Sequence, residues 1–257
     1  MLVTGGSGYL GAELLRRAPE AVGTYFARAF PGGVQLDVRD ADAVGRAIEG
    51  HEVVIHTAYV QSDASVIVDG TTVVAEACAR AGSRLVHMST DVVFDGALGR
   101  PYRESDEPGP ITGYGRAKLA AEQAVAERCP AAAIVRTSLI YGGPPLEPSR
   151  QERDALEAEV AFFTDEIRSP VQVGDLAGAI LDLAGGEMAG PVHLAGADHV
   201  SRYEHACLIV AARGGDSARV RPASFRELGL ERPADCRLES DRVPPLRGVR
   251  EVLARSG

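Results

Sequence analysis

Tyr114-Gly115-Arg116-Ala117-Lys118 sets a phenol and an ammonium four residues apart. On a helix, positions i and i+4 share a face, so the two groups would meet there. Lys118 is the only lysine in 257 residues, although Lys and Arg together number 27. Lysine offers a compact charge with donors that can be re-aimed, which a forked guanidinium does not. A free phenol has a pKa of about 10, and a neighbouring ammonium favours the phenolate, so such a pair suits proton transfer nearer neutrality. The same spacing also arises from an exposed Tyr/Lys pair on a helix surface. A second chemical stretch precedes it: Leu85-Val86-His87-Met88 reads as a buried strand that runs into Ser89-Thr90-Asp91. A hydroxyl at the carboxyl end of a strand can hold a carbonyl oxygen as charge develops on it. Thr90 is the better candidate, because strand alternation turns Ser89 to the other face. Ser89 and Asp91 remain candidate substrate contacts, with Asp91 alternatively capping the turn.

These groups need a scaffold, and the start of the chain describes one. Residues 1–4 read as a buried strand, followed by Gly5-Gly6-Ser7-Gly8-Tyr9-Leu10-Gly11 and then a helical run. Strand, glycine turn and helix form the context that the dinucleotide fingerprint requires. Gly5 allows the tight turn, Gly8 admits a pyrophosphate to the backbone, and Gly11 lets helix and strand pack closely. Ser7, Tyr9 and Leu10 complete the loop, whose amides face the phosphates at the positive end of the helix. A strand over 22–26 should follow. Where an NAD site usually carries Asp or Glu, this chain has Ala27-Arg28, and an arginine there can meet a 2′-phosphate, which favours NADP(H) over NAD(H). Arg28 is otherwise a solvated surface residue. A strand over 34–38 brings Asp37 and Val38 to the adenine, or lets Asp37 cap the helix that begins near Asp40. The apolar run 53–58 reads as a central parallel strand, with small residues Thr57 and Ala58, then Tyr59, leaving room for a cofactor. His56 reads as a core histidine. A helix is expected over 69–81, stopping at Gly82. Others are expected over 114–128, 151–160 and 173–183, from Ser201 to about 210, and finally one closing at Leu253. Strands are expected over 133–138 and 191–196.

Composition narrows the partners. A net charge of −9 argues against nucleic acid or an anionic membrane surface. No apolar run is long enough to span a bilayer. The chain opens directly on a strand and glycine loop without a secretory pattern, and Cys78, Cys129, Cys207 and Cys236 are scattered, so a cytoplasmic protein is expected. No cluster has metal-ligand spacing, so no metal site is assigned.

Thr4-Gly5-x-x-Gly8-x-x-Gly11, Ser89-Thr90-Asp91-x-Val93-Phe94-Asp95-Gly96 and Tyr114-Gly115-Arg116-Ala117-Lys118 together resemble the extended short-chain dehydrogenase/reductases. Phe163-Thr164-Asp165-Glu166-x-Arg168-Ser169-Pro170 and Arg232-Pro233-x-Asp235 are similar to the dTDP-4-dehydrorhamnose reductase-like branch. The resemblance implies an α/β fold: a Rossmann-type doubly wound parallel sheet with a small, discontinuous C-terminal substrate lobe. The dinucleotide-binding part would take 1–141 and 170–196, and the lobe 142–169 and 197–257. It implies NAD(P)H-dependent reduction of a 4-keto nucleotide sugar, with Thr90, Tyr114 and Lys118 catalytic. Lys118 would also bind the nicotinamide ribose, and Thr164, Asp165 and Arg168 would contact substrate. A homodimer would be usual for such proteins.

The chain departs from the branch in places. Val92 replaces an aromatic, Glu166 and Arg168 replace the usual Gln and Gly, and there is no tryptophan. The reductase chemistry survives these changes, and the identity of the sugar stays open. Two other readings stand beside it: a nucleotide-sugar epimerase or dehydratase holding NAD tightly, and a non-catalytic NADP-binding regulatory subunit.

Overall fold

Apolar residues at both ends of a strand need cover on both faces, and the first strand, β1 (Leu2–Thr4), is buried throughout. The computed structural model describes residues 1–143, 145–157 and 160–254. After β1 come α1 (Tyr9–Arg17), β2 (Val22–Tyr25), β3 (Val34–Gln35), α2 (Ala41–Ile48), β4 (Val53–His56), α3 (Ala64–Ala81), β5 (Arg84–Met88), α4 (Gly113–Arg128) and β6 (Ala133–Thr137). The chain continues through β7 (Ile140–Tyr141), α5 (Arg150–Glu157), β8 (Ala161–Phe163), β9 (Ile167–Arg168), β10 (Val171–Gln172), α6 (Val173–Gly185) and β11 (Gly190–Leu194). It ends with β12 (Val200–Ser201), α7 (Arg202–Ala212), β13 (Arg221–Ala223) and α8 (Val249–Ala254).

The main sheet runs β11-β6-β5-β4-β1-β2-β3. The pairings from β3 to β6 are parallel. This is the doubly wound order, and it reverses direction between β1 and β4, where such sheets bind ligands beyond their carboxyl ends. Register brings Thr4 opposite His56 and His56 opposite His87. The segments leaving β1, β4 and β5 therefore emerge side by side. Val54, Val74, Leu85 and Ile134 build the core beneath them.

Local signals account for most boundaries. Asp63 accepts from the amides of Ser65 and Val66, so α3 begins at Ala64, five residues before the expected start, and Gly82 ends it at φ 67°. The β-branched residues Val66, Ile67 and Val68 hide that first turn from a periodicity reading. Strand β3 stops at Gln35 instead of 38. There Arg39 binds Asp37 in a local turn. Asp40 caps α2 through the amides of Asp42 and Ala43, so Asp37 is not the cap. The expected helix over 151–160 is present as α5, and positions 158 and 159 lie outside the described residues. Ser201 caps α7 as expected, accepting from the Glu204 amide.

The chain clusters into two compact units. The first comprises 1–90, 113–136 and 177–192; the second comprises 91–112, 137–176 and 193–257. By contacts, 91–112, 137–141, 170–176 and 193–196 group with the second unit. In that unit Tyr102 bridges to Leu238, and its amide and carbonyl bond to Arg237 and Glu239. The Tyr102 hydroxyl bonds to Asp95 at 2.5 Å. Helix α7 packs on α5, α8 and β8. Buried Glu152 accepts from the amides of Gly142, Gly143 and Ser149.

Candidate functional site

The glycine turn is closed by contacts that leave no room for side chains. Gly5 sits at φ 73°, and a methyl group there would lie 2.9 Å from the Ala58 backbone. At Gly11 a methyl group would meet the Gly5 carbonyl oxygen at 2.3 Å, so α1 is pressed directly onto the turn. Gly11→Ala is expected to destabilise the protein by about 3 kcal/mol, lowering Tm by roughly 6–12 °C, because the obstructing atoms, from Gly5 and Gly6, are all backbone. Thermal melts of the two proteins check this. Thr57 donates its hydroxyl to the Thr4 carbonyl, tying the exit of β4 to that of β1.

Helix α1 presents an N-terminus without a side-chain cap and without acidic residues in its first turn. Its cap is Gly8, where a Cβ would sit 3.1 Å from the Gly5 carbonyl. Uncapped amides at the positive end of a helix fit an anionic diphosphate. Ser7 and Tyr9 are half-buried beside it, while the Leu10 side chain is buried, so only its backbone faces the turn. A cleft of about 700 Å³ is lined by Gly6, Ser7, Arg16, Arg28 and Phe30 among others. Arg16 is tied to Glu13 at 2.7 Å, and Arg28, itself exposed, is the second guanidinium of the cleft. The residues therefore fit a phosphorylated dinucleotide. Val38 is buried in the core, so its side chain belongs to packing, and the Asp37 carboxylate is held by Arg39 at 2.7 Å, which keeps its pKa below the ordinary carboxylate range.

Helix α4 carries the phenol and the ammonium. Lys118 is buried and donates from Nζ to the Met88 carbonyl at 2.6 Å. Its ammonium lies 5.4 Å from the centroid of the Tyr59 ring, and the Tyr114 ring lies 6.0 Å from that same ring. Tyr59 is thus the common neighbour of both groups, with a cation–π contact to one of them. Burial pulls Lys118 down from its ordinary range to about 8, and the Glu122 carboxylate opposes that shift. Thr90 is half-buried, two residues beyond the carbonyl that anchors Lys118. Tyr114, Lys118, Thr90 and Tyr59 all lie in the first unit with the glycine turn.

The Ser89 side chain is turned inward. Its hydroxyl donates to Glu122 Oε1 at 2.5 Å, and Glu122 also binds Arg136 at 2.7 Å, with all three residues buried. Neither Glu122 nor Arg136 is among the site residues expected from the sequence. Signals for both were present: Glu122 continues the 114, 118 helical face, and a charge inside the apolar strand 133–137 needs a partner.

Four expected substrate residues lie in the second unit, and each has a bonding partner there. Arg168 is 1% exposed; its guanidinium donates to Glu166 and to the carbonyls of Ile167, Pro233 and Ala234. Asp165 accepts from the Ser224 hydroxyl and the Phe225 amide, bracing the 224–227 turn. Thr164 donates to the Ala223 carbonyl beside the β8–β13 pairing. Asp91 accepts from the Ser138 hydroxyl at 2.6 Å and lies 3.6 Å from Arg168, at the head of a short 3₁₀ turn. The polar atoms of Arg168 and Asp165 are thus held by partners within the second unit.

Among the described residues no helix is long and apolar enough to cross a membrane. The model of the RmlD substrate binding domain matches residues 1–250. The chain is 36% identical over 276 residues to a dTDP-4-dehydrorhamnose reductase of Mycolicibacterium smegmatis, covering 98% of this chain and 83% of that one. It is 31% identical over 278 residues to the methionine adenosyltransferase 2 subunit beta of Bos taurus, covering 96% and 82%. Among solved structures it matches a dTDP-4-dehydrorhamnose reductase from Bacillus anthracis in complex with NADP, with TM-score 0.83, 27% identity and coverage of 99% and 96%. With its glycine turn, its Tyr114–Lys118 helix and a match along nearly its whole length, the chain belongs to the RmlD substrate binding domain family.

Proposed function

We propose that this protein is an NADPH-dependent reductase of a 4-keto nucleotide sugar. The observation that carries the reading is the convergence of Tyr114 and Lys118 on the Tyr59 ring, with the Lys118 ammonium fixed to the strand end that leads into Thr90. Gly5, Ser7, Gly8, Tyr9, Leu10 and Gly11 would hold the dinucleotide, with Thr57, Ala58 and Tyr59 beside it and Asp37 and Val38 towards the adenine. The reduced nicotinamide supplies the hydride. Tyr114 donates a proton to the ketone oxygen, completing the alcohol. The Thr90 hydroxyl donates to that oxygen as negative charge builds on it. Lys118 keeps a positive charge beside the phenol and would hold the nicotinamide ribose.

Arg28 supports the preference for the 2′-phosphorylated coenzyme, because it stands in the cleft beside Gly6 and Ser7. Arg28→Ala is expected to weaken NADPH binding about tenfold and to leave NADH binding unchanged. Fluorescence titration with both coenzymes checks this.

Similarity to a methionine adenosyltransferase subunit favours a second reading, a regulatory NADP-binding protein. Incubation with NADPH and a panel of nucleotide-linked 4-keto sugars separates the two. Consumption of NADPH supports the reductase. Isomerisation without consumption points to an epimerase, and binding without turnover to the regulatory subunit. A cytoplasmic location suits the four unpaired cysteines, and a homodimer belongs to the same reading; light scattering tests the latter.

A further inference from the structure

Two consecutive residues at the end of β5 are gripped by two side chains one turn apart on α4. The Met88 carbonyl accepts from Lys118 at 2.6 Å, and the Ser89 hydroxyl donates to Glu122 at 2.5 Å. The neighbouring strand closes the ring. The Ser89 amide donates to the Val135 carbonyl at 2.6 Å, and the next residue, Arg136, binds Glu122 through Nε and Nη2. Thr90 follows immediately.

A buried ion pair is a weak source of stability, since apolar residues of similar volume often pack as well or better. A carboxylate that accepts from a hydroxyl and a guanidinium does, however, hold a fixed orientation. From these contacts we infer that Glu122 and Ser89 are positioning residues for the proposed carbonyl reduction, clasping the Thr90 strand end to the Tyr114–Lys118 face of α4. The inference rests on the reductase reading.

Glu122 has a second effect through charge. Burial lowers the Lys118 pKa, and the Glu122 carboxylate counters it. The other groups around Lys118 are Tyr114 on its own helix, Tyr59 after β4, His56 on β4 and His87 on β5, with Arg136 on β6 behind Glu122. Burial keeps both histidines neutral near neutral pH, so they add no positive charge. Without Glu122 the ammonium would surrender its proton at lower pH, and the phenol would lose its charged neighbour.

Because Lys118 is the only lysine, protein labelled with ¹³C at lysine Cε gives one side-chain resonance, whose pH titration reports this amine directly. Glu122→Gln alone leaves a buried guanidinium unpaired and threatens folding, so it is combined with Arg136→Met. Because Arg136 carries an opposing charge, the reference is Arg136→Met alone, and the double variant, shown to be folded by circular dichroism, is expected to titrate about one pH unit below that reference. Glu122→Asp, which keeps the charge, is expected to stay near the wild-type midpoint. A midpoint in the folded double variant that equals that of Arg136→Met overturns the charge role. In turnover, Ser89→Ala is expected to lower kcat about tenfold at unchanged KM for NADPH and unchanged Lys118 titration. Undiminished kcat overturns the clasp. The titration needs no substrate, so it stands apart from a failure of the wild type to reduce any keto sugar.

Discussion

Tyr114→Phe is expected to lower kcat for keto-sugar reduction by about a thousandfold while NADPH still binds. A positioned general acid contributes typically 10²–10⁴-fold, and the substitution deletes the transferable proton and little else. The ring itself remains, so its neighbourhood with Tyr59 survives. Lys118 keeps its anchor on Met88, and the glycine turn, which carries the phosphates, is untouched. Single-turnover absorbance of NADPH, paired with fluorescence titration of the coenzyme, measures the two quantities separately. Turnover near the wild-type rate would remove Tyr114 from the chemistry. Loss of coenzyme binding would instead mean that the hydroxyl serves the coenzyme rather than the ketone.

Mild acid is expected to destabilise the first unit steeply. His56 and His87 are fully buried on adjacent central strands, with their rings stacked at 5.5 Å. His56 is pushed down to about 3 by burial, helped by the nearby Lys118 charge. His87 is held well below its ordinary range by burial, with the Lys118 and His56 charges adding to it, and among the described residues neither of its ring nitrogens has a hydrogen-bond partner. The sign follows from proton binding. In the unfolded chain a histidine titrates at about 6.5, so below that pH the unfolded state binds protons that the folded state refuses. The stability is complete above 6.5 and falls as pH drops towards the folded-state value. Each histidine removes about 1.4 kcal/mol per pH unit, hence about 3 kcal/mol per unit for the pair. A protein at the lower end of the typical range of 5–15 kcal/mol would unfold cooperatively between about pH 4.5 and 5, and a more stable one at lower pH. Buried His205, lowered to about 4, adds a similar slope in the second unit. Urea titrations from pH 7 to 4.5 give the slope. His87→Phe, which removes a buried base that lacks a partner, is expected to stabilise the protein at pH 5 by about 2 kcal/mol. An unchanged slope in that variant would show that His87 does not drive the loss.

The parts legible in the sequence are those whose cause is local. The turn at Gly5, the stop at Gly82 and the cap at Ser201 each depend on the backbone of a few neighbouring residues. The Tyr114–Lys118 pair is legible because helical geometry alone brings i and i+4 together. Where local signals conflicted, the reading failed. The β-branched run after Asp63 concealed the first turn of α3, and the edge position of β3 let Arg39 draw Asp37 into a turn.

What the sequence by itself determined is the presence of a glycine-turned α/β nucleotide cradle and a helix bearing one phenol and one amine on a common face. Only the tertiary structure decided how the remaining polar groups are used. Arg168 and Asp165 look like ligands for a substrate, yet one is enclosed by carbonyls from 233 and 234 and the other by the turn at 224–226. Ser89 looks like a companion to Thr90, yet it is drawn inward by a carboxylate 33 residues away. A buried polar group takes whichever partner chain closure brings within hydrogen-bond reach, and no local pattern encodes that partner.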